Sequence, residues 1–368
     1  MALNKERIQK LASLIEQRGL DAYLIAPSPD MIYFMDHMPL FCYRFQGLFV
    51  KKDGNCFYVC NLLTEEEIRA VLPDCPIYAW FDGEGFVETV RRALAENGLI
   101  GKKIGVNNCV RAFNILEIAS AMDVEFVNAS DLGPETRIIK TEHQIDLMRE
   151  AGRIGQEALE KTLRQIKPGM TEKQVRDILR GHMAELGGER VGGGCASGPN
   201  SGYPHYDRDD RVLEKGDTLL IDFGCQYHEL GTDITRTVFL GKPSDRQIEI
   251  HGIVKKAILA AEQAVLDGER WIPNIDLAAR KVIEEAGYGS KFTTRLGHGM
   301  GYMFHEAPDI KQNNKRYLEP GMAFTIEPGI YLGGDIGVRI EDCIAIHLDN
   351  TAEVLTDDFT KDYIVLDC

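Results

Sequence analysis

The chain has 368 residues, 44% apolar and 27% charged. At about 150 residues per domain it holds two domains with a sizeable core, which excludes disorder and a disulfide-stapled mini-scaffold. Its 42 Lys and Arg against 57 Asp and Glu leave a net charge of −15, which opposes binding to nucleic acid or anionic membrane. No apolar run reaches the ~18 residues of a membrane span, and the opening Met1-Ala-Leu-Asn-Lys-Glu-Arg7 is charged rather than secretory, so a cytoplasmic location is expected. Nine cysteines without a C-x-x-C signal neither a zinc ribbon nor a redox dithiol; reduced thiols are expected.

Taken in chain order, residues 4–18 carry Ile8, Leu11, Leu14 and Ile15 at helical spacing, and Ala22–Ala26 is a buried-strand run. Gly47–Gly54 and Cys56–Cys60 read as strands joined by a D-G turn. Helices at 64–72 and 85–98 and strands at 103–106 and 124–127 complete an α/β layer domain over 1–133, with no evident constellation of titratable groups. A break lies at 130–141. The second domain, 141–368, opens with Thr141 and Gln144 at capping-box spacing. Thr171 with Gln174 and Ser244 with Gln247 repeat the device, opening helices at 172–186 and 245–267. A further helix is expected at about 275–286.

This second domain echoes itself. Leu213-Glu-Lys-Gly-Asp-Thr-Leu-Leu-Ile-Asp-Phe-Gly224 matches Leu318-Glu-Pro-Gly-Met-Ala-Phe-Thr-Ile-Glu-Pro-Gly329 in register, 105 residues on. Each copy follows a helix pair ending in glycine (Gly187, Gly287), which implies an α+β domain with an internal pseudo-two-fold repeat. The equivalent acids are Asp222 and Glu327. Each ends an apolar strand, where a lone carboxylate is costly to bury. Each also has a second acid downstream, Asp233 and Glu341, within reach of a hairpin return.

Four converging carboxylates need protons or cations, and two divalent ions match their charge. His298, between glycines in Gly297-His-Gly-Met-Gly301 where backbone can approach a metal, adds an imidazole. This hard donor set favours Mn²⁺, with Co²⁺, Fe²⁺ or Zn²⁺ also compatible. Two such ions generate hydroxide at neutral pH and polarise a carbonyl, the chemistry of amide hydrolysis. Singly, Asp233 reads as a turn residue and His298 as a structural histidine; the ordered set points to metal. His228 and His251, beside charged residues, read as surface, and Cys225 as packing.

Six motifs in order carry a resemblance: A-S-G-P-N-S-G-Y-P-H from Ala196 to His205, D-F-G at Asp222, T-D-I-T-R-T at Thr232, G-H-G-M-G-Y-M-F-H-E from Gly297 to Glu306, I-E-P-G at Ile326 and V-R-I-E-D at Val338. Over its whole length the chain resembles the pita-bread metallopeptidase family of methionine aminopeptidases, Xaa-Pro dipeptidases (prolidases), aminopeptidase P and the creatinases. The resemblance implies a creatinase/prolidase-type N-terminal α/β domain and a pita-bread catalytic domain. It implies that Asp222, Asp233, His298, Glu327 and Glu341 hold two divalent metal ions, with Asp233 and Glu341 bridging them. Glu327 would also take the proton of the bridging water, giving a metal-bridging hydroxide. His305 would contact the scissile carbonyl, His205 would help the leaving nitrogen depart, and Arg339 would support a site carboxylate. Tyr203, Tyr302 and Phe304 are candidate pocket aromatics. The resemblance also implies a homodimer.

The expected activity is hydrolysis of the Xaa-Pro bond at the N-terminus of dipeptides or short proline-containing peptides. Where many prolidases carry an arginine that holds the dipeptide carboxylate, this chain has Asp309, which leaves room for longer Xaa-Pro peptides. The alternatives are a pita-bread hydrolase of a non-peptide amide, a creatinase-like amidinohydrolase, and a non-catalytic peptide-binding member. The last two sit poorly with five retained metal-ligand positions.

Overall fold

A computed structural model describes residues 3–367. The chain divides into two compact units, Met1–Arg137 and Ile138–Cys368.

The first unit is built on a six-stranded mixed sheet. Its order is Ile77–Trp80, Cys56–Asn61, Gly47–Lys51, Ala22–Ile25, Lys103–Val106 and Glu125–Asn128. The middle strands are antiparallel across the D-G turn, and the outer pairs are parallel. Apolar residues such as Leu24, Phe49, Phe57, Val90 and Ile104 form its core. Four elements escape sequence reading: the helices Pro29–Met35, Ala112–Ala121 and Leu132–Arg137, and the edge strand Ile77–Trp80. Leu132–Arg137 lies in the expected break. It is held from afar, because Arg137 makes a buried ion pair with Asp30, 107 positions away.

In the second unit two antiparallel sheets each carry a helix pair. The first sheet runs Ile364–Leu366, Ile234–Leu240, Thr218–Tyr227, Glu189–Ser197, with only the Ile364–Leu366 edge parallel. The helices Glu142–Leu163 and Glu172–Glu185 pack on it through Ile154, Ala158, Val175 and Leu179 against Ile221, Phe223 and Val238. The second sheet runs Glu306–Ile310, Gly297–Gly299, Ala323–Ile326, Asp342–Ile346, Ala352–Val354. Helices Asp245–Leu266 and Ile272–Glu285 cover it through Val254, Ile258, Ile275 and Ala279 against Phe324 and Ile344. Helix–helix–sheet thus occurs twice, as the repeat demands.

All three expected capping boxes form, each satisfying free backbone N–H groups at a helix start. The fourth helix begins at Ile272 rather than near 275, because Pro273 is tolerated in a first turn where its missing N–H has no partner to lose. The two halves join where the Glu341 N–H donates to the Thr235 carbonyl at 3.0 Å. That junction brings the paired acids of the two copies together.

Candidate metal centre

Asp222 lies within the strand Thr218–Tyr227, opposite Thr235 on one side and Gly194 on the other. Asp233 immediately precedes the strand Ile234–Leu240; its backbone N–H points at Cys343 Sγ, 3.3 Å away, and the Cys343 thiol donates to its carbonyl. Glu327 follows the strand Ala323–Ile326, and its N–H donates to the Leu296 carbonyl at 2.7 Å. Glu341 sits at the junction of the halves and accepts 2.6 Å from the Thr235 hydroxyl. One donor atom each from Asp222, Asp233 and Glu341 lie within 4.8 Å of one another; so do those of His298, Glu327 and Glu341, and of Asp233, His298 and His305. The five residues singled out in the sequence therefore converge, with His305 at their edge.

The histidine geometry tests whether cations fit. His298 is buried, 2% exposed. Its Nδ1 lies 3.1 Å from the Gly299 carbonyl, which places the ring proton there and leaves the Nε2 lone pair facing Glu327 at 3.3 Å and Asp233 at 3.9 Å. Protonating Nε2 would relieve that confrontation, but burial, then the neighbouring His305, pushes the His298 pKa down to about 3. A lone pair aimed at two carboxylates is repulsive unless a proton or a cation lies between them. The acids agree. Burial, then Asp222 and Glu327, holds Asp233 well above the usual carboxylate range. Burial, then Asp233, Glu327 and Asp222, does the same to Glu341. Burial pushes Glu327 up to about 7 against the pull of Arg339. One guanidinium faces all four acids: Arg339 donates to Asp222 Oδ2 at 2.7 Å, to the Thr235 hydroxyl and to the Tyr331 hydroxyl. The residues fit divalent cations, which supply the missing positive charge and suit oxygen-rich donors.

A cavity of about 560 Å³ opens over the cluster, within the range of small-ligand sites. His205 and His305 both line it and are exposed; the His305 ring stands 4.2 Å from that of His298. Partial burial, then Arg295, lowers the His305 pKa. Tyr203, stacked near Tyr206, and Phe304 also face the cavity.

Three expectations need correction. Tyr302 does not line the cavity: it is buried, and its hydroxyl accepts from Gln144 at the start of Glu142–Leu163. His251 is not a surface residue but 2% exposed, against Phe239 and Tyr363, because it falls on the inner face of its helix. The glycines beside His298 serve strand packing: a Cβ at Gly297 or Gly299 would lie about 2 Å from the carbonyl oxygens of Thr325 and Ala307. His228 is exposed, as read.

Sequence reading missed Thr235 and Cys343, which position Glu341 and Asp233. It also missed Glu172. That fully buried carboxylate accepts from the Ser197 N–H and hydroxyl and from Asn200, so part of the A-S-G-P-N run is there to be anchored. A helix-opening Glu three residues before a buried Val offers no local signal of such a partner.

Comparison with known proteins agrees with this geometry. Residues 146–347 match the model of metallopeptidase family M24, and residues 7–139 match the creatinase/prolidase N-terminal domain. A Xaa-Pro dipeptidase of Pyrococcus furiosus is 32% identical over 96% of this chain and 98% of its own length. Among solved structures, a prolidase from Thermococcus sibiricus superposes with TM-score 0.90 at 29% identity, covering all of both chains. An X-Pro aminopeptidase from Thermotoga maritima does so with TM-score 0.81 at 30% identity, over 97% of this chain and 99% of its own. With its central acids and imidazole gathered on a doubled helix–sheet frame, and with residues 7–139 of the creatinase/prolidase N-terminal type, this chain belongs to metallopeptidase family M24 and has the pita-bread fold.

Proposed function

We propose that the chain is a metal-dependent Xaa-Pro peptidase, hydrolysing the bond before proline at the N-terminus of dipeptides or short peptides. The observation that carries this reading is the cluster of four carboxylates, from buried Glu341 to half-exposed Asp222, with the His298 lone pair aimed into it. Its near-full-length similarity to proteins named Xaa-Pro dipeptidase, prolidase and X-Pro aminopeptidase supports the substrate class.

Asp222, Asp233, His298, Glu327 and Glu341 would hold two divalent cations, with Mn²⁺ the favoured ion for this hard set. Bound there, the ions supply a nucleophilic water at neutral pH and polarise the scissile carbonyl. The side chains do the rest. Glu327 accepts the proton of the attacking water. His305 hydrogen-bonds the oxygen on which charge develops, and His205 assists the departing proline nitrogen. Arg339 orients Asp222. Tyr203 offers an aromatic wall to the proline ring. We read the enzyme as cytoplasmic and homodimeric. The acidic charge fits a cytoplasmic protein, and among the described residues no helix is long and apolar enough to cross a membrane.

The test is turnover by metal-stripped protein restored with Mn²⁺, on an Xaa-Pro dipeptide and an Xaa-Pro-Xaa tripeptide. Metal-dependent release of the N-terminal residue from either establishes the activity. No cleavage of either by metal-loaded protein refutes it and directs the search to other amides.

A further inference from the structure

We propose that Arg180 is the carboxylate-binding residue of the active-site cavity, the group that holds a negative charge on the substrate distal to the bond that is cut. The inference rests on the peptidase reading for its substrate but on separate residues for its evidence.

Three guanidinium groups line the cavity, those of Arg176, Arg180 and Arg339. Two are spent. Arg339 is paired with Asp222, and Arg176 is paired with Asp209 and, at 3.0 Å, with Asp177. Arg180 makes no ion pair among the described residues. Its Nη2 donates to the Gly193 carbonyl at 2.7 Å, while its Nε–H is buried without a partner. The charges acting on it come from its own helix, Arg176 as a like charge and Asp177 as an opposite one; the strand it touches presents glycines. A half-buried guanidinium with unspent N–H groups is a poor structural element. It is a good receptor for a planar carboxylate, which it can grip with two parallel hydrogen bonds.

Place and space both suit a short substrate. Gly193 pairs with Phe223 and Gly194 with Asp222, so the Arg180 anchor point lies one strand spacing from the backbone of a proposed metal ligand. Gly192 and Gly194 are two apart and so share a face of their strand. A Cβ at Gly194 would meet nothing within 4 Å, and one at Gly192 only a far atom of Gly224 and the tip of Phe304. The absence of side chains there leaves room for a ligand beside the guanidinium. Asp309 offers no competing anion site, since it is itself acidic and paired with Lys311 and Arg295.

The carboxylate could be the C-terminus of a dipeptide or an acidic side chain at the third position, and substrates separate the two. Mn²⁺-loaded wild type, Arg180→Gln and Arg180→Lys would be assayed on Ala-Pro and its C-terminal amide, and on Ala-Pro-Asp-amide and Ala-Pro-Asn-amide. In Arg180→Gln the acid-to-amide ratio of kcat/KM for Ala-Pro should fall at least tenfold, chiefly through KM, with partial recovery in Arg180→Lys. A tenfold fall confined to the Asp-to-Asn ratio would assign the side-chain carboxylate instead. Unchanged ratios in both pairs overturn the proposal, whatever happens to absolute rates. Calorimetric titration with the reduced-amide analogue of Ala-Pro and with its C-terminal amide gives a second readout. If the C-terminal carboxylate is the one held, wild type should prefer the acid and Arg180→Gln should lose that preference; no preference in wild type, together with an unchanged Asp-to-Asn ratio, overturns the proposal. If wild type cleaves no Xaa-Pro substrate, the peptidase reading fails, and the titration still decides the role of Arg180.

Discussion

Glu341 and Asp342 are consecutive, both acidic and both buried, yet their surroundings are opposite. Successive side chains of an extended segment point to opposite faces. Glu341 points into the carboxylate cluster, where Arg339 Nε is 4.0 Å away and three other acids crowd it. Asp342 points the other way, to Arg236 Nη2 at 2.8 Å, Lys361 Nζ at 3.1 Å and the Thr356 hydroxyl at 2.6 Å. Glu262 and Asp357 share the same lysine. On one face the chain supplies its own counter-charges; on the other it withholds them. A buried acid with its cations in place is part of the scaffold, whereas a cluster without them is built for cations from outside.

The largest effects should follow from exchanging these neighbours. Glu341→Ala should abolish peptidase activity, by at least ~10³-fold, because a cation ligand is gone. Its metal-free unfolding free energy should hold or rise, since one of four crowded, desolvated carboxyl groups has been removed. Asp342→Ala should do the reverse to stability and cost about 3–5 kcal/mol in urea unfolding, because Arg236 is left buried without its carboxylate and Lys361 loses one of its three. Equal destabilisation in both variants would erase the distinction between the two faces.

The outlines of this contrast were legible in the sequence and its cause was not. Asp222 and Glu327 announced themselves because each closes an apolar run in the sequence and the two recur 105 residues apart, although the strand that holds Asp222 runs on to Tyr227, and the capping boxes because cap and acceptor lie three residues apart. Arg236, inside T-D-I-T-R-T, gives no sign that it crosses to Asp342, 106 positions on. Glu172 looks like ordinary helix-opening charge, and Arg180 like one more solvated arginine. His251 was misjudged because Glu249 and Lys255 flank it in sequence, while helical periodicity turns it toward Phe239. Local spacing reveals local pairings; long-range ion pairs, and a cavity-lining guanidinium with no ion pair among the described residues, appear only when the chain is folded.

His251 sharpens the comparison as a buried titratable group with no counter-charge in hydrogen-bond contact. Burial is the main cause of its pKa falling from 6.5 to about 4, with Lys255 and Arg236 adding to it and Asp362 opposing. The folded state therefore binds its proton more weakly than the unfolded chain. The associated stability is complete above about pH 6.5 and is lost as pH falls toward 4, up to about 3 kcal/mol. Urea unfolding between pH 7 and 4 should show this loss, and His251→Phe should flatten that part of the profile. An unchanged slope would mean that the ring is hydrated in solution.

Metal titration probes the other face directly. Mn²⁺ at about 100 times its dissociation constant should stabilise the wild type by roughly 2.7 kcal/mol per independent site. Glu341→Ala should lose much of that gain, whereas Arg246→Ala, which alters an ion pair away from the cluster, should keep it. A Mn²⁺ effect of equal size in wild type and Glu341→Ala would place the bound ion elsewhere.

Water is the third environment for an ion pair, and it should matter least. Arg246 and Asp335 lie 2.8 Å apart, a separation equal to that of Arg236 and Asp342, but both are more than half exposed. Solvent screens the attraction, and two long side chains lose rotamer freedom to keep it. Arg246 also stands in the first turn of Asp245–Leu266, where a positive charge opposes the helix dipole. These terms nearly cancel, so Arg246→Ala should change unfolding free energy by less than about 1 kcal/mol, with less change still at high salt. A loss approaching that of Asp342→Ala would show that distance, rather than burial, sets the worth of these pairs, and the argument from the two faces of Glu341 and Asp342 would fall with it.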